Sequence, residues 1–170
     1  MRLSRLGFRR ATIGAVLLAA PGSGLSAQDL GIEVGSAGPA AAVETLDGKA
    51  TNLSEYVGKQ PVLMEFWATW CANCAELEPT MLAMHAKYGK QVAFIGVAVS
   101  VNQSAERARL YVERHKLPWI QVFDRRGNAT GAYDVPATSY VVVLDKAGKV
   151  VYTGLGGRQD LESAIKKALQ

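Results

Sequence analysis

The apolar positions of the chain fall into two rhythms that alternate along it. Val62-Leu63-Met64-Glu65-Phe66-Trp67 is apolar at all but one position, and a run of that length predicts a buried central strand. Val92 to Val99 and Pro118 to Phe123 predict two further strands. Tyr140 to Leu144 and Lys149 to Thr153 flank Asp145-Lys146-Ala147-Gly148, a turn that makes them an antiparallel hairpin. Between strands the spacing becomes helical. Past Cys74, Leu77, Met81, Met84 and Tyr88 recur at intervals of 4, 3 and 4, with Gly89 as a stop. Ser104 can cap a helix running to about His115, with Ala108, Tyr111 and Val112 on its apolar face. A last helix carries Leu161, Ala164, Ile165, Ala168 and Leu169 on one side. Upstream, Ala42 to Leu46 and Asn52 to Leu53 around Asp47-Gly48 suggest a small added hairpin. No repeat, charge block or second core interrupts this order, which is that of one α/β domain.

Composition changes the picture only at the N-terminus. With 170 residues, 49% hydrophobic and 20% charged, the chain is in the range of soluble globular domains, which argues against disorder, collagen and a disulfide-dense miniprotein. The formal charge of +4 comes from 19 Lys and Arg against 15 Asp and Glu. Arg2, Arg5, Arg9 and Arg10 supply the excess, so the rest of the chain is balanced and attraction to nucleic acid is not supported. These four precede an apolar run, Ala11 to Ala20, then Pro21-Gly22-Ser23-Gly24 and the small-residue end Leu25-Ser26-Ala27. That is the order of an export signal, so residues 1–27 read as a signal peptide, 28–38 as a linker and 39–170 as the domain. Ten apolar residues are short of the roughly 20 that a spanning helix needs, so contact with a membrane is expected only if the signal stays uncleaved. Paired Arg9-Arg10 is read as incidental to a basic signal rather than as a twin-arginine address.

Export places the chain where disulfides persist, and it has two cysteines, Cys71 and Cys74. Closing so short a loop stabilises by only about 2 kcal/mol, against about 3 for a loop of 15 residues, so a structural staple is the weaker reading. Zinc would need two more ligands, and His85 and His115 lack the spacing of a finger. Covalent haem would need His where Ala75 stands, and no Pro precedes either Cys at the spacing of a peroxidatic thiol. A redox-active dithiol is favoured over staple and metal. The pair straddles the join of a strand and the following helix, where unpaired N–H groups and the helix dipole favour a thiolate at Cys71. Cys74, one turn on, is within disulfide reach. Cys71 is then the attacking thiol and Cys74 the resolving one.

Glu65 interrupts an apolar strand, and a buried carboxyl without a cation tends to hold its proton. It is a candidate proton acceptor that helps deprotonate Cys74 during resolution; a solvated edge position is the alternative. His85, His115 and Arg125-Arg126 are read as structural or solvated, and Trp119 as core.

Val62 to Cys74, with Pro79 five residues after the second Cys, resembles the thioredoxin superfamily. The stretch Gly35 to Leu53 and Gly58-Lys59 before the strand is similar to its exported TlpA/ResA-like branch. The resemblance covers residues 32–170 and implies a thioredoxin-like fold: a central mixed β-sheet flanked by helices, with the N-terminal hairpin added. It implies Cys71 as nucleophile, Cys74 as resolving thiol, Trp70 as the aromatic flank of a substrate site and Glu65 in the place of a buried carboxylate. In that branch the place is often uncharged, so Glu65 resembles thioredoxin itself. Ala72-Asn73 lacks the proline many reductive members carry between the cysteines, so no redox potential transfers. In the loop opposite the thiols, where the family places a cis-proline, an ungapped register puts Ser139 after Thr138, with Pro136 three residues early. Either the loop shifts so that Pro136 serves, or Thr138-Ser139 stands there, with a trans peptide; the second is favoured.

The expected function is exchange of disulfides with exported proteins that carry paired cysteines, in the reductive direction, with an upstream redox partner that recycles the dithiol. Apocytochrome c is one candidate substrate by family analogy. No organic cofactor is implied. A copper(I)-binding chaperone using the same two soft thiolates is the alternative of a different class.

Overall fold

A computed structural model describes residues 31–170. The expected signal peptide, residues 1–27, and the start of the expected linker lie outside them. The elements in chain order are β1 (Ala42–Thr45), β2 (Ala50–Asn52), β3 (Val62–Trp67), α1 (Ala72–Tyr88), β4 (Ala93–Val99), α2 (Ala105–His115), β5 (Ile120–Asp124), α3 (Asn128–Ala132), β6 (Tyr140–Leu144), β7 (Val150–Leu155) and α4 (Leu161–Ala168). One mixed sheet has the order β2-β1-β5-β4-β3-β6-β7. Strands β3, β4 and β5 run parallel, and β6 lies antiparallel to β3 with Phe66 opposite Tyr140. The N-terminal hairpin joins the sheet through β1, antiparallel to β5. This is the thioredoxin-like arrangement with the expected added hairpin.

Strand β3 is apolar at nearly every position because both faces of the sheet are covered. Val62, Met64 and Phe66 pack with Tyr133, Tyr140 and Val142 on one side. On the other, Leu63 packs with Leu77 and Met81 of α1 and with Leu161 and Ile165 of α4. Each fully buried Leu or Met contributes roughly 1.5–3 kcal/mol. Residue 65 alternates with these and faces the α1 side, which places the carboxyl of Glu65 in the interior.

The elements depart from the sequence reading most at Leu53, at the start of β5 and at α3, the other ends differing by one or two residues. Leu53, expected in a strand, opens a 3-10 turn because the Asn52 side chain accepts from the Ser54 N–H. Strand β5 starts at Ile120, so Pro118 and Trp119 stand before it; Trp119 is buried against Phe94, as a core residue. Helix α3 has no counterpart in the apolar spacing. Its first N–H groups are held by Asp124 at the end of β5, which accepts from Ala129 and Thr130. Ser104 does cap α2, accepting from the Arg107 N–H. Residues 31–38 hydrogen-bond to the domain, Ile32 to Tyr133 and Gly35 to Val150. Among the described residues no helix is long and apolar enough to cross a membrane.

Candidate active site

Strand β3 delivers the chain to Ala68-Thr69-Trp70, and Cys71 becomes the N-cap of α1. Its Sγ accepts from the Cys74 N–H at 3.1 Å, so a sulfur occupies the place of a capping oxygen among otherwise unpartnered N–H groups. Cys71 and Cys74 form a disulfide with Cα atoms 5.3 Å apart, and both are largely buried. Helix α1 continues through Pro79, which lacks the N–H that would reach the Ala75 carbonyl. The loop ahead of the cysteines is braced from the segment after β4. Thr69 N–H donates to Gln103 Oε1, and Gln103 Nε2 donates to the Val99 carbonyl. Trp70 is 46% exposed with its Nε1 donating to the Val101 carbonyl, and Val101 itself is exposed. The two form an apolar shoulder beside the disulfide.

Ser139 stands immediately before β6 with φ 63°, fully buried, and its N–H donates to the Phe66 carbonyl at 2.8 Å. Its carbonyl accepts from Gly156 N–H and Gln159 Nε2, and its Oγ donates to the Gly156 carbonyl. Thr138 is half-buried beside it, and Pro136 is exposed three residues earlier. No cis peptide bond occurs among the described residues. Ser139 therefore adjoins the C-terminal end of β3, whereas Pro136 does not take part in these contacts.

Beneath the disulfide is a small cavity with room for about one water molecule. Glu65, Cys74, Glu78, Trp67, Tyr111 and Gln121 are among its walls. Glu65 is buried, its Oε1 has no hydrogen-bond partner, and its pKa is raised from 4.5 to about 8, first by burial and then by the Glu78 carboxylate. A Cβ on Gly96, the residue paired with Glu65 on β4, would run into the Gln121 side chain. The amide of Gln121 thus lies over that gap, where its Oε1 accepts from Trp67 Nε1. Glu78 is one turn beyond Cys74 on the same face of α1. Its two oxygens are held separately, Oε2 by the Tyr111 hydroxyl at 3.0 Å and Oε1 by His115 Nδ1 at 2.9 Å. The rings of Tyr111 and His115 stack at 3.8 Å. Burial, followed by the bond to Glu78, pushes the Tyr111 hydroxyl up to about 12, so it remains a donor.

Glu78, Gln121 and Gln103 were not singled out by the sequence, and His115, read as structural, turns out to hold Glu78. The signal available was Glu78 at four residues from Cys74, an acid on a helix face otherwise marked by Leu77 and Met81. His85 packs its ring against Phe94 and Trp119, and Arg125 pairs with Glu44 on the surface, so neither joins the site. Among the described residues no group of three or more His, Cys, Asp or Glu could hold a metal ion.

Residues 33–169 match the family model described as Redoxin. The chain is 33% identical over 163 residues to thiol-disulfide oxidoreductase ResA of Geobacillus kaustophilus, with 92% of each chain covered. It is 31% identical over 163 residues to the protein of the same name from Geobacillus thermodenitrificans, again with 92% of each covered. A solved structure from Chlorobium tepidum, assigned as a thiol:disulfide interchange protein DsbE, superposes with a TM-score of 0.71 at 27% identity, covering 81% of this chain and 98% of that one.

Proposed function

The chain belongs to the Redoxin family, in the TlpA/ResA-like part of the thioredoxin superfamily, and is a thiol-disulfide oxidoreductase; from that premise we propose an exported enzyme that reduces disulfides in protein substrates through Cys71 and Cys74. The single observation that carries the residue assignment is the Cys71–Cys74 disulfide at the N-terminus of α1, with the Cys71 sulfur on a backbone N–H and Cys74 facing the Glu65 cavity.

In the reduced enzyme the Cys71 thiolate, favoured by the helix N-terminus, attacks one sulfur of a substrate disulfide. The substrate S–S bond breaks, its other sulfur leaves as a thiolate, and Cys71 is joined to substrate in a mixed disulfide. Cys74 then gives its proton to the Glu65 carboxylate and attacks Cys71 Sγ. The mixed S–S bond breaks, the electron pair goes to the substrate sulfur, and the Cys71–Cys74 disulfide forms. A partner dithiol of lower potential returns the two electrons, and Cys74, now the leaving thiolate, takes the proton back from Glu65. Both electrons are carried by the two cysteine sulfurs. Trp70, exposed beside the disulfide, flanks the substrate together with the half-buried Thr138, while Ser139, fully buried, holds that loop against β3 from within and Pro136 is left outside it.

The export signal read at residues 1–27 supports action outside the cytoplasm, on exported proteins with paired cysteines; apocytochrome c is the candidate that the resemblance offers. Two measurements test the reading. Glu65→Gln should slow the resolving step at neutral pH, so that mixed disulfide builds up in stopped-flow exchange while the first attack is unchanged; absence of any build-up refutes the role of Glu65. A reduction potential near about −270 mV supports the reductive direction, and one near about −120 mV overturns it. Titration with copper(I) under reducing conditions separates the alternative role: nanomolar or tighter binding together with slow disulfide exchange would favour a copper chaperone.

A further inference from the structure

We propose that Glu78 is a positioning residue for the proton shared by Glu65 and Cys74: its carboxylate, fixed at the cavity wall by Tyr111 and His115, governs how firmly Glu65 holds that proton. The inference rests on the proposed role of Glu65 as acceptor of the Cys74 proton, and it concerns what governs the acceptor. Three features of the geometry carry it. Glu65, Cys74 and Glu78 line one cavity of about single-water size. Glu78 follows Cys74 by one helical turn, so the two project to the same side of α1. Its carboxylate is held from α2 at both oxygens, by the Tyr111 hydroxyl and His115 Nδ1, which fixes a negative charge there instead of letting it swing to solvent.

The groups that face the proton can be named from each element. Helix α1 contributes Cys74 and Glu78, α2 contributes Tyr111, with His115 behind Glu78 on its Oε1, and β5 contributes the uncharged Gln121. Trp67, Leu117 and Trp119 complete the wall, and no lysine or arginine is among the described residues lining it. An anion at Glu78 therefore has no cation between itself and Glu65. Like charges close together oppose ionisation, so Glu65 holds its proton more firmly while Glu78 is charged. The consequence is a restrained acceptor: Glu78 sets the share of Glu65 that is ionised at neutral pH and so free to take the Cys74 proton.

The test follows the Glu65 side-chain carboxyl carbon by NMR across a pH titration of the oxidised full chain, in wild type, Glu78→Gln and Glu78→Asp, alongside stopped-flow resolution at pH 7. Gln keeps the size of the side chain and an acceptor for Tyr111 but removes the charge. The Glu65 midpoint should fall by about one pH unit in Glu78→Gln, and the ionised share at pH 7, with the resolving rate, should rise about five-fold. A merely structural lesion would slow the step. Glu78→Asp, which keeps the charge, should retain the wild-type midpoint and rate. An unchanged midpoint in Glu78→Gln overturns the inference, and so does an equal shift in both variants. Failure of Glu65→Gln to accumulate mixed disulfide would instead refute the role of Glu65, because the midpoint is read in the oxidised protein and is independent of that kinetic step.

Discussion

Replacing Glu65 with Gln should flatten the dependence of stability on pH in a window that the structure defines. The Glu65 carboxyl is buried with an unpartnered Oε1, and its pKa in the folded state is raised from 4.5 to about 8. A carboxyl whose folded pKa lies above its unfolded one favours folding fully below the unfolded value, and that contribution is lost as pH rises through the folded value. The wild type should therefore lose stability from about pH 4.5 to about pH 8. At about 1.4 kcal/mol per pH unit the loss amounts to about 3 kcal/mol by pH 7 and about 5 kcal/mol by pH 9. Gln cannot ionise, and its own cost of burying an amide is the same at every pH. Guanidinium unfolding of the oxidised protein between pH 4.5 and 9 reads both profiles, and every other titrating group is common to the two chains. The variant should gain on the wild type steadily across this range and overtake it by neutral pH. Profiles that stay parallel within about 0.5 kcal/mol would refute the argument that Glu65 is held neutral by burial.

Other substitutions probe the surroundings of the site. Ser139→Pro should destabilise by about 3 kcal/mol or more, because proline cannot reach φ 63° and removes the N–H that donates to the Phe66 carbonyl; an unchanged thermal midpoint would show that the loop tolerates another conformation. Asp124→Ala should cost about 1–2 kcal/mol by releasing the Ala129 and Thr130 N–H groups, with amide exchange faster in α3 than in β5. Exchange no faster in α3 would mean that the helix holds without this cap.

Which parts were legible in the sequence follows from the range of the interactions that set them. Strand β3 and strand β6 could be read to the residue because their apolar runs reflect burial on both faces, a property of the strand itself. Helix α2 was marked by Ser104, whose capping bond spans three residues. Helix α3 was not, since Asn128-Ala129-Thr130-Gly131-Ala132 has no apolar period and is organised from outside by Asp124. The hairpin of β1 and β2 was foreseen, but its pairing with β5 depends on residues far along the chain, Glu44 opposite Phe123 and Thr45 opposite Val122. The cysteines and Glu65 stood out because each breaks a local pattern. Glu78 did not, because its meaning comes from Tyr111 and His115, which only the packing of α2 beside α1 brings within hydrogen-bond distance.

Trapping of the mixed disulfide tests the central claim most directly. Wild type, Cys71→Ser and Cys74→Ser, each reduced beforehand, are mixed with insulin and followed by turbidity and by non-reducing gels after acid quenching. The account predicts that Cys71→Ser abolishes insulin reduction and forms no adduct, while Cys74→Ser makes the first attack and accumulates the insulin-linked species. Insulin reduction at the wild-type rate by Cys71→Ser, or an adduct formed through Cys74, would contradict it.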